Sequence, residues 1–264
     1  MMRLVEYPMQ AVAPTVAAIL GLPKPASAEA RPIRPVVRDL AGVDRVAVLG
    51  VDALGLAIRR HWAQQMPFLE GLADHRQATL RAVMPSVTPV NFGCMVTGAG
   101  VRRHGAHAFD RDFRCQTLFD LLRAAGKTSA GFGRRGWTGH ELLGRFADLS
   151  NAGPGENDDD VDAGLAAIVE EARPDFLIVQ YGATDEVFHA HGPYSDEAGE
   201  AVAAADAWLA RRVPALRGQG YGVLVLADHG QHAVVDDDGV TNGNHGTDSD
   251  EDCLTPLIWV TPTQ

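Results

Sequence analysis

Five segments of the 264-residue chain hold side chains whose types and spacing suit metal binding and phosphate chemistry. Asp52 follows the apolar run Val48-Leu49-Gly50-Val51 and places a carboxylate at the end of a buried strand. In Pro85-Ser86-Val87-Thr88-Pro89-Val90-Asn91, Pro89 fits the first turn of a helix and makes Thr88 its N-cap. A hydroxyl there lies beside free backbone N–H groups and the positive end of a helix dipole, which favours an alkoxide and a bound phosphoryl group. Asp185-Glu186-Val187-Phe188-His189 spaces a carboxylate and an imidazole at i and i+4, on one face of a helix, with His191 directed elsewhere. Asp228-His229-Gly230 ends a further apolar run, and its adjacent ligands reach one ion if the backbone turns sharply at Gly230. Gly243-Asn244-His245-Gly246 offers a glycine-flanked histidine before the last strand.

Taken singly, these residues read as turn formers, helix caps and loop histidines. Five such segments at one edge of a fold instead read as a metal site. Aspartate and neutral imidazole without thiolate suit zinc, with manganese or another divalent ion as the alternative. Cys94, Cys115 and Cys253 form no CxxC pair and are odd in number, so they read as reduced, mostly buried thiols.

The elements that must position these groups follow from hydrophobic periodicity. Apolar runs at Arg45–Val51, Ala78–Val83, Lys127–Phe132, Asp175–Tyr181, Tyr221–Ala227 and Pro256–Val260 read as buried strands. Between them lie helical patterns at Gln116–Ala125, Asp159–Ala172 and Ser195–Leu216, the last with Val202, Ala205, Trp208, Leu209 and Val213 on one stripe. Alternating strands and helices imply an α/β fold with a mainly parallel central sheet covered by helices on both faces, its ligand crevice beyond the carboxyl ends of the strands. The run Asn151–Asp160 reads as a mobile, solvated acidic loop leading into a helix. Gly133-Arg134-Arg135-Gly136-Trp137 follows a strand at the same edge, so Arg134 or Arg135 is expected to grip a phosphoryl or carboxylate group of the substrate, with Trp137 as a stacking surface; a solvated basic turn is the alternative.

With 46% apolar residues the chain buries a substantial core, and residues 1–264 read as one domain. A formal charge of −11 repels nucleic-acid polymers and anionic membranes, while bound cations would still admit a small phosphorylated substrate. No apolar run approaches the ~20 residues that span a bilayer. Ala11–Leu22 followed by Ala26-Ser27-Ala28 superficially resembles a signal peptide, but Glu6 and Pro14 favour a short helix packed on the domain. The expectation is therefore a cytoplasmic protein, or an exported one if that segment is a leader. No feature of the sequence assigns an oligomeric state.

The five segments, in this order from about Arg45 to Val260, resemble the type I phosphodiesterase and nucleotide pyrophosphatase group of the alkaline phosphatase superfamily, with phosphonoacetate hydrolase as a relative. The resemblance implies an alkaline phosphatase-like core without a large cap. It implies two metal ions ~4 Å apart, one held by Asp185, His189 and His245, the other by Asp52, Thr88, Asp228 and His229. It further implies a phosphohydrolase with Thr88 as nucleophile and a covalent phosphothreonine, and with Asn91 and the N–H groups near Val90 and Asn91 beside the phosphoryl oxygens. Nucleotide-cleaving members commonly place an aromatic residue directly after the nucleophile, where this chain has Pro89. They often carry an asparagine just past the segment matching Arg103-His104-Gly105, where this chain reads Ala106-His107-Ala108-Phe109. Many relatives have glycine where Ala53 stands. The alternatives are a phosphonate or phosphomonoester hydrolase on the same site, a phosphomutase of the cofactor-independent phosphoglycerate mutase type, and a metal-binding protein without turnover. The short stretch between Thr88 and Asp185 argues against the inserted cap of such a mutase.

Overall fold

A computed structural model of the chain describes residues 5–73, 76–151 and 153–263. Seven strands, β1 (Glu6–Pro8), β2 (Arg45–Val51), β3 (Gln77–Arg81), β4 (Ser129–Phe132), β5 (Phe176–Tyr181), β6 (Tyr221–Leu226) and β9 (Leu254–Val260), form one sheet. Their order is β1-β3-β9-β6-β2-β5-β4, and only β9 runs antiparallel to its neighbours. A separate hairpin pairs β7 (His232–Val235) with β8 (Thr241–Asn244). The mainly parallel sheet is the one expected. All six strands read from the sequence are present, while β1 and the β7–β8 hairpin, too short or too polar to register as apolar runs, are additions.

Strand alternation divides the core into two. Ala47, Leu49 and Val51 of β2, with Leu177 and Val179 of β5 and Val223 and Val225 of β6, pack on one face under the helices Asp158–Glu171 and Asp196–Gly218. Val46, Val48, Phe176, Ile178, Leu224 and Leu226 pack on the other, under the helices Val12–Ile19, Thr88–Thr97 and Leu118–Ala124. The long helix buries Val202, Ala205, Trp208, Leu209 and Val213 along the stripe read from the sequence. The N-terminal apolar segment forms a helix whose Val12, Ala13 and Val16 are fully covered, so it is part of the core. No helix among the described residues is long and apolar enough to cross a membrane.

The acidic segment departs from its expected form. Asn157 caps the helix Asp158–Glu171 through its side chain, and Asp158, far from being solvated, is buried. Ala152, within that segment, lies outside the described residues.

A long-range polar contact joins the long helix Asp196–Gly218 to the short helix Pro67–Ala73. Asp206 accepts hydrogen bonds from the N–H groups of Phe68 and Leu69, at 3.0 and 2.8 Å, and so caps the helix Pro67–Ala73 from outside its own sequence. Removing a cap of this kind costs about 1–2 kcal/mol. Asp206→Ala should therefore lower the thermal midpoint by roughly 2–8 °C for a domain of this size. Calorimetry that finds the midpoint unmoved would show the contact to be energetically idle.

Candidate metal centre and nucleophile

The sheet topology brings three carboxylates together. β2 lies between β5 and β6, with Val51 opposite Tyr181 and Gly50 opposite Leu226, so all three strands end at one level. Asp52 follows β2, Asp228 lies two residues past β6, and Asp185 sits in the first turn of the helix Ala183–His191 that follows β5. Thr88 opens the helix Thr88–Thr97, which approaches so closely that a Cβ on Gly50 would lie 2.7 Å from the Phe92 ring. A glycine in β2 is thus required for the helix that Thr88 opens to seat. The β7–β8 hairpin delivers His245 from the far side.

Thr88 is the first helical residue rather than the N-cap. Val87, in extended conformation, occupies the cap, and no side chain bonds there. The Thr88 hydroxyl is consequently not spent on capping and lies 3.1 Å from His229 Nε2. Gly230 also differs from expectation, because its backbone is not left-handed; a Cβ there would lie 2.0 Å from the Glu251 carbonyl oxygen. Its role is close packing beneath the site.

All three imidazoles are oriented the same way. His189 Nδ1 lies 3.0 Å from the Gly243 carbonyl, His229 Nδ1 3.0 Å from that of Gly230, and His245 Nδ1 2.9 Å from that of Ser86. A carbonyl only accepts, so each Nδ1 carries the proton and each Nε2 presents a lone pair. His229 Nε2 lies 3.4 Å from Asp52 Oδ1 and 3.3 Å from Asp228 Oδ2, and the Nε2 atoms of His189 and His245 each lie 3.5 Å from Asp185 Oδ1.

Those carboxylate oxygens, Asp52 Oδ1, Asp185 Oδ1 and Asp228 Oδ2, are buried without a hydrogen-bond partner. Buried polar atoms are otherwise nearly always paired. The separations also match the edge of a tetrahedron around an ion with ~2.0–2.1 Å bonds, which spans ~3.3–3.4 Å. The donors fall into two groups, Asp185 with His229 and His245, and Asp52 with Asp228 and His229, so His229 is central to both. His189 stands at the exposed margin of the first. This donor set fits divalent cations.

Electrostatics agree with that fit. Burial, then the Asp228 and Asp185 charges, push the Asp52 carboxyl well above the usual carboxylate range. Burial likewise raises Asp185, against the opposing pull of His229 and His189. Burial and the neighbouring His229 push His245 down to about 3. A cation would reverse the penalty on both carboxylates, and it needs the neutral His245 that burial already favours.

Residues outside the sequence motifs hold the candidate ligands in place. Gln180 donates from Nε2 to Asp52 Oδ2 at 2.5 Å and accepts the Gly139 N–H at 2.5 Å, while Thr184 donates to the Asp52 carbonyl. A lone glutamine within the buried apolar run Phe176–Tyr181 was the available signal for this role. Ala53, whose N–H donates to Asp228 Oδ1, has φ of 58°, the left-handed region that glycine prefers.

The remaining expected contacts are engaged elsewhere. Asn91 receives the Val83 N–H on Oδ1 and donates to the Val83 and Val87 carbonyls, and its own N–H bonds Val87. The side chain thereby shapes the loop before Thr88 instead of facing a ligand. In the first turn, Pro89 has no N–H, which leaves those of Thr88 and Val90 without helical acceptors. Arg134 is buried between Asp158 and Glu186, at 2.8 and 2.6 Å, and Arg135 is held by the Gly153 and Pro154 carbonyls. Trp137 packs against Gly182 and stacks under the Arg134 guanidinium. Neither arginine is left as a free cation facing the crevice, and neither behaves as a merely solvated turn.

The five segments and their order match the family model for type I phosphodiesterase / nucleotide pyrophosphatase over residues 46–117 and 127–255. The chain belongs to that family. Among curated proteins, this family member is similar to a 2,3-bisphosphoglycerate-independent phosphoglycerate mutase of Bacteroides fragilis, 26% identical over 87% of the chain but only 47% of the mutase. It thus spans about half the length of that relative. Among solved structures, phosphonoacetate hydrolase from Sinorhizobium meliloti 1021 superposes with a TM-score of 0.60 at 22% identity, covering 74% of this chain and 58% of the other. Murine ectonucleotide pyrophosphatase / phosphodiesterase 5 superposes with a TM-score of 0.66 at 13% identity, covering 81% and 87%. The fold is that of the alkaline phosphatase superfamily.

Two measurements test the site. A non-glycine residue in the left-handed region is strained by roughly 1 kcal/mol, partly offset by the greater chain entropy of glycine. Ala53→Gly should therefore raise stability by up to about 1 kcal/mol, and a clear loss in denaturant titration would contradict the strain assigned to Ala53. Asp52→Asn concerns charge instead. Because the folded carboxyl of Asp52 is raised above its unfolded value of about 4, its contribution to the metal-free protein is full below that pH and is lost as pH rises. Metal-free Asp52→Asn should lose less stability than wild type between pH 4 and 7, yet gain less in thermal midpoint on adding zinc. A larger zinc response in the variant would exclude Asp52 as a ligand.

Proposed function

We propose that the chain is a phosphohydrolase of the phosphodiesterase/pyrophosphatase type, acting on a small phosphorylated substrate through a covalent phosphothreonine on Thr88. The observation that carries this reading is the Thr88 hydroxyl at a helix start, freed from capping and 3.1 Å from His229 Nε2, beside three buried carboxylates with unpaired oxygens. Asp185, His189 and His245 would hold one divalent ion, and Asp52, Asp228, His229 and Thr88 the other, with zinc favoured by the donor chemistry and manganese as the alternative. When bound, such ions lower the pKa of a coordinated hydroxyl or water and neutralise the charge of phosphoryl oxygens.

The residues of the chain do the rest. Thr88 Oγ1 loses its proton and forms a bond to phosphorus as the bond to the leaving oxygen breaks. The helix dipole and the N–H groups of Thr88 and Val90 meet the phosphoryl oxygens as their charge develops. Water then attacks from the vacated side and releases Thr88. The three Nδ1–carbonyl bonds keep every Nε2 aimed inward through both steps.

The mutase reading draws support from the 26% identical relative. Against it stands what lies between Thr88 and Asp185, where the described residues form core elements such as β4, β5 and the helices Leu118–Ala124 and Asp158–Glu171. That segment supplies sheet and cover rather than a cap. The buried N-terminal helix supports reading Ala11–Leu22 as part of the folded domain, and with it the cytoplasmic assignment.

Metal-loaded protein should release product from a phosphodiester or pyrophosphate in a panel that also holds phosphomonoesters, phosphonates and phosphoglycerate. Exchange of phosphate between phosphoglycerate positions without release would instead establish the mutase. Thr88→Ala should abolish nearly all turnover while metal content stays near wild type, and Thr88→Ser should retain part of it. Turnover of Thr88→Ala within about tenfold of wild type, a barrier change of only ~1.4 kcal/mol, would exclude the covalent route.

A further inference from the structure

The helix Ala183–His191 carries Asp185 and His189, yet its own N-cap, Gly182, has no side chain to bond the first turn. The missing cap comes from another element. Asp158, the first residue of the helix Asp158–Glu171, accepts the Gly182 N–H on Oδ1 at 3.1 Å and the Ala183 N–H on Oδ2 at 2.8 Å. Its side chain is wholly buried, a position in which an isolated carboxylate would be strongly penalised. Arg134 supplies the countercharge, donating from Nε to the same Oδ1 at 2.8 Å. Through its other arm Arg134 reaches Glu186 at 2.6 Å, the neighbour of Asp185, so the guanidinium ties Asp158 to the first turn that the carboxylate caps. Trp137 closes the arrangement, with its ring 5.4 Å from the guanidinium and its edge against Gly182.

Every polar contact of this buried pair is thus directed at the start of one ligand-bearing helix. The geometry points to Asp158 and Arg134 as positioning residues that set the metal affinity of the Asp185–His189 group far more than that of the Asp52–Asp228 group. The inference rests on reading Asp185 and His189 as ligands. It differs in kind from a stabilising ion pair, because a helix start free to fray would displace Asp185 directly, whereas Asp52 would lose only the Thr184 bond to its carbonyl while its carboxylate keeps Gln180, and Asp228 keeps the Ala53 N–H. Partners bonded directly to a ligand side chain typically change metal affinity by about 10–100-fold, and Asp158, which bonds the backbone at Gly182 and Ala183 rather than Asp185 itself, belongs at the lower end of that range.

The experiment is a competitive zinc titration of the full chain, with amide exchange over residues 182–186 followed in the metal-free protein. Wild type should bind two ions. Asp158→Ala should weaken one of them by about tenfold, leave the other within a factor of about two, and lose amide protection at the helix start. Asp158→Asn, which keeps one acceptor oxygen, should fall between, and Arg134→Lys should also weaken the same ion because lysine lacks the forked geometry. If Asp158→Ala does not fold, Asp158→Asn decides the matter by the same criteria. Two ions bound with wild-type affinity by a folded Asp158 variant, or both weakened equally, would overturn the proposal. Failure of wild type to bind zinc, with amide protection still lost in the variants, would overturn the metal reading itself and leave the cap as a purely structural one.

Discussion

Three carboxylates are buried together at the carboxyl ends of three adjacent strands, and the rest of the site is arranged around that unfavourable proximity. Asp52, Asp185 and Asp228 repel one another in surroundings that solvate charge poorly, as the raised carboxyl of Asp52 records. Water would relieve such a cluster, but its unpaired oxygens are buried. What remains is a concentrated negative potential with three imidazole lone pairs facing it. Divalent cations are the complement of that field, and a formal charge of −11 on the whole chain favours their approach.

Holding like charges in place requires partners that commit only one oxygen of each carboxylate. Gln180 takes Asp52 Oδ2, and the Ala53 N–H takes Asp228 Oδ1, which leaves the opposite oxygens turned to the centre. The histidines follow the same rule through their Nδ1 bonds to carbonyls. The left-handed backbone at Ala53 belongs to this arrangement, since the turn after β2 must direct its N–H back toward Asp228 while Asp52 points inward. A glycine at this position would reach the same turn without a Cβ penalty.

The sheet makes the site rigid. β2 is flanked by β5 and β6 in register, so the termini of three strands share one level, and the two cores on either face lock that level against sliding. Thr88 depends on the same packing through the Phe92 ring against Gly50. Arg134 adds to this packing, its guanidinium committed to Asp158 and Glu186.

Much of this was legible in the sequence because it depends on local pattern. Apolar runs of strand length gave six of the strands and hence a parallel α/β fold, and the Asp-x-x-x-His and Asp-His-Gly segments gave candidate ligands, since ligand chemistry is a property of residue type. Spacing along the chain could not show which atoms converge. That Thr88 lies one residue inside its helix follows from the extended backbone at Val87, and that its hydroxyl faces His229 is a contact between segments 141 residues apart. The sequence placed Asp158 in a solvated loop, because three acids beside glycines resemble one; only the tertiary structure turns that carboxylate toward the start of another helix. It likewise placed Arg134 and Arg135 at the right sheet edge, since a loop after a parallel strand must lie there, but which charge neutralises which is decided by contacts between elements far apart in the chain. Residue type and periodicity therefore determined the chemistry available and the edge where it gathers, whereas the direction of each side chain was set by long-range packing, whose partners no local pattern encodes.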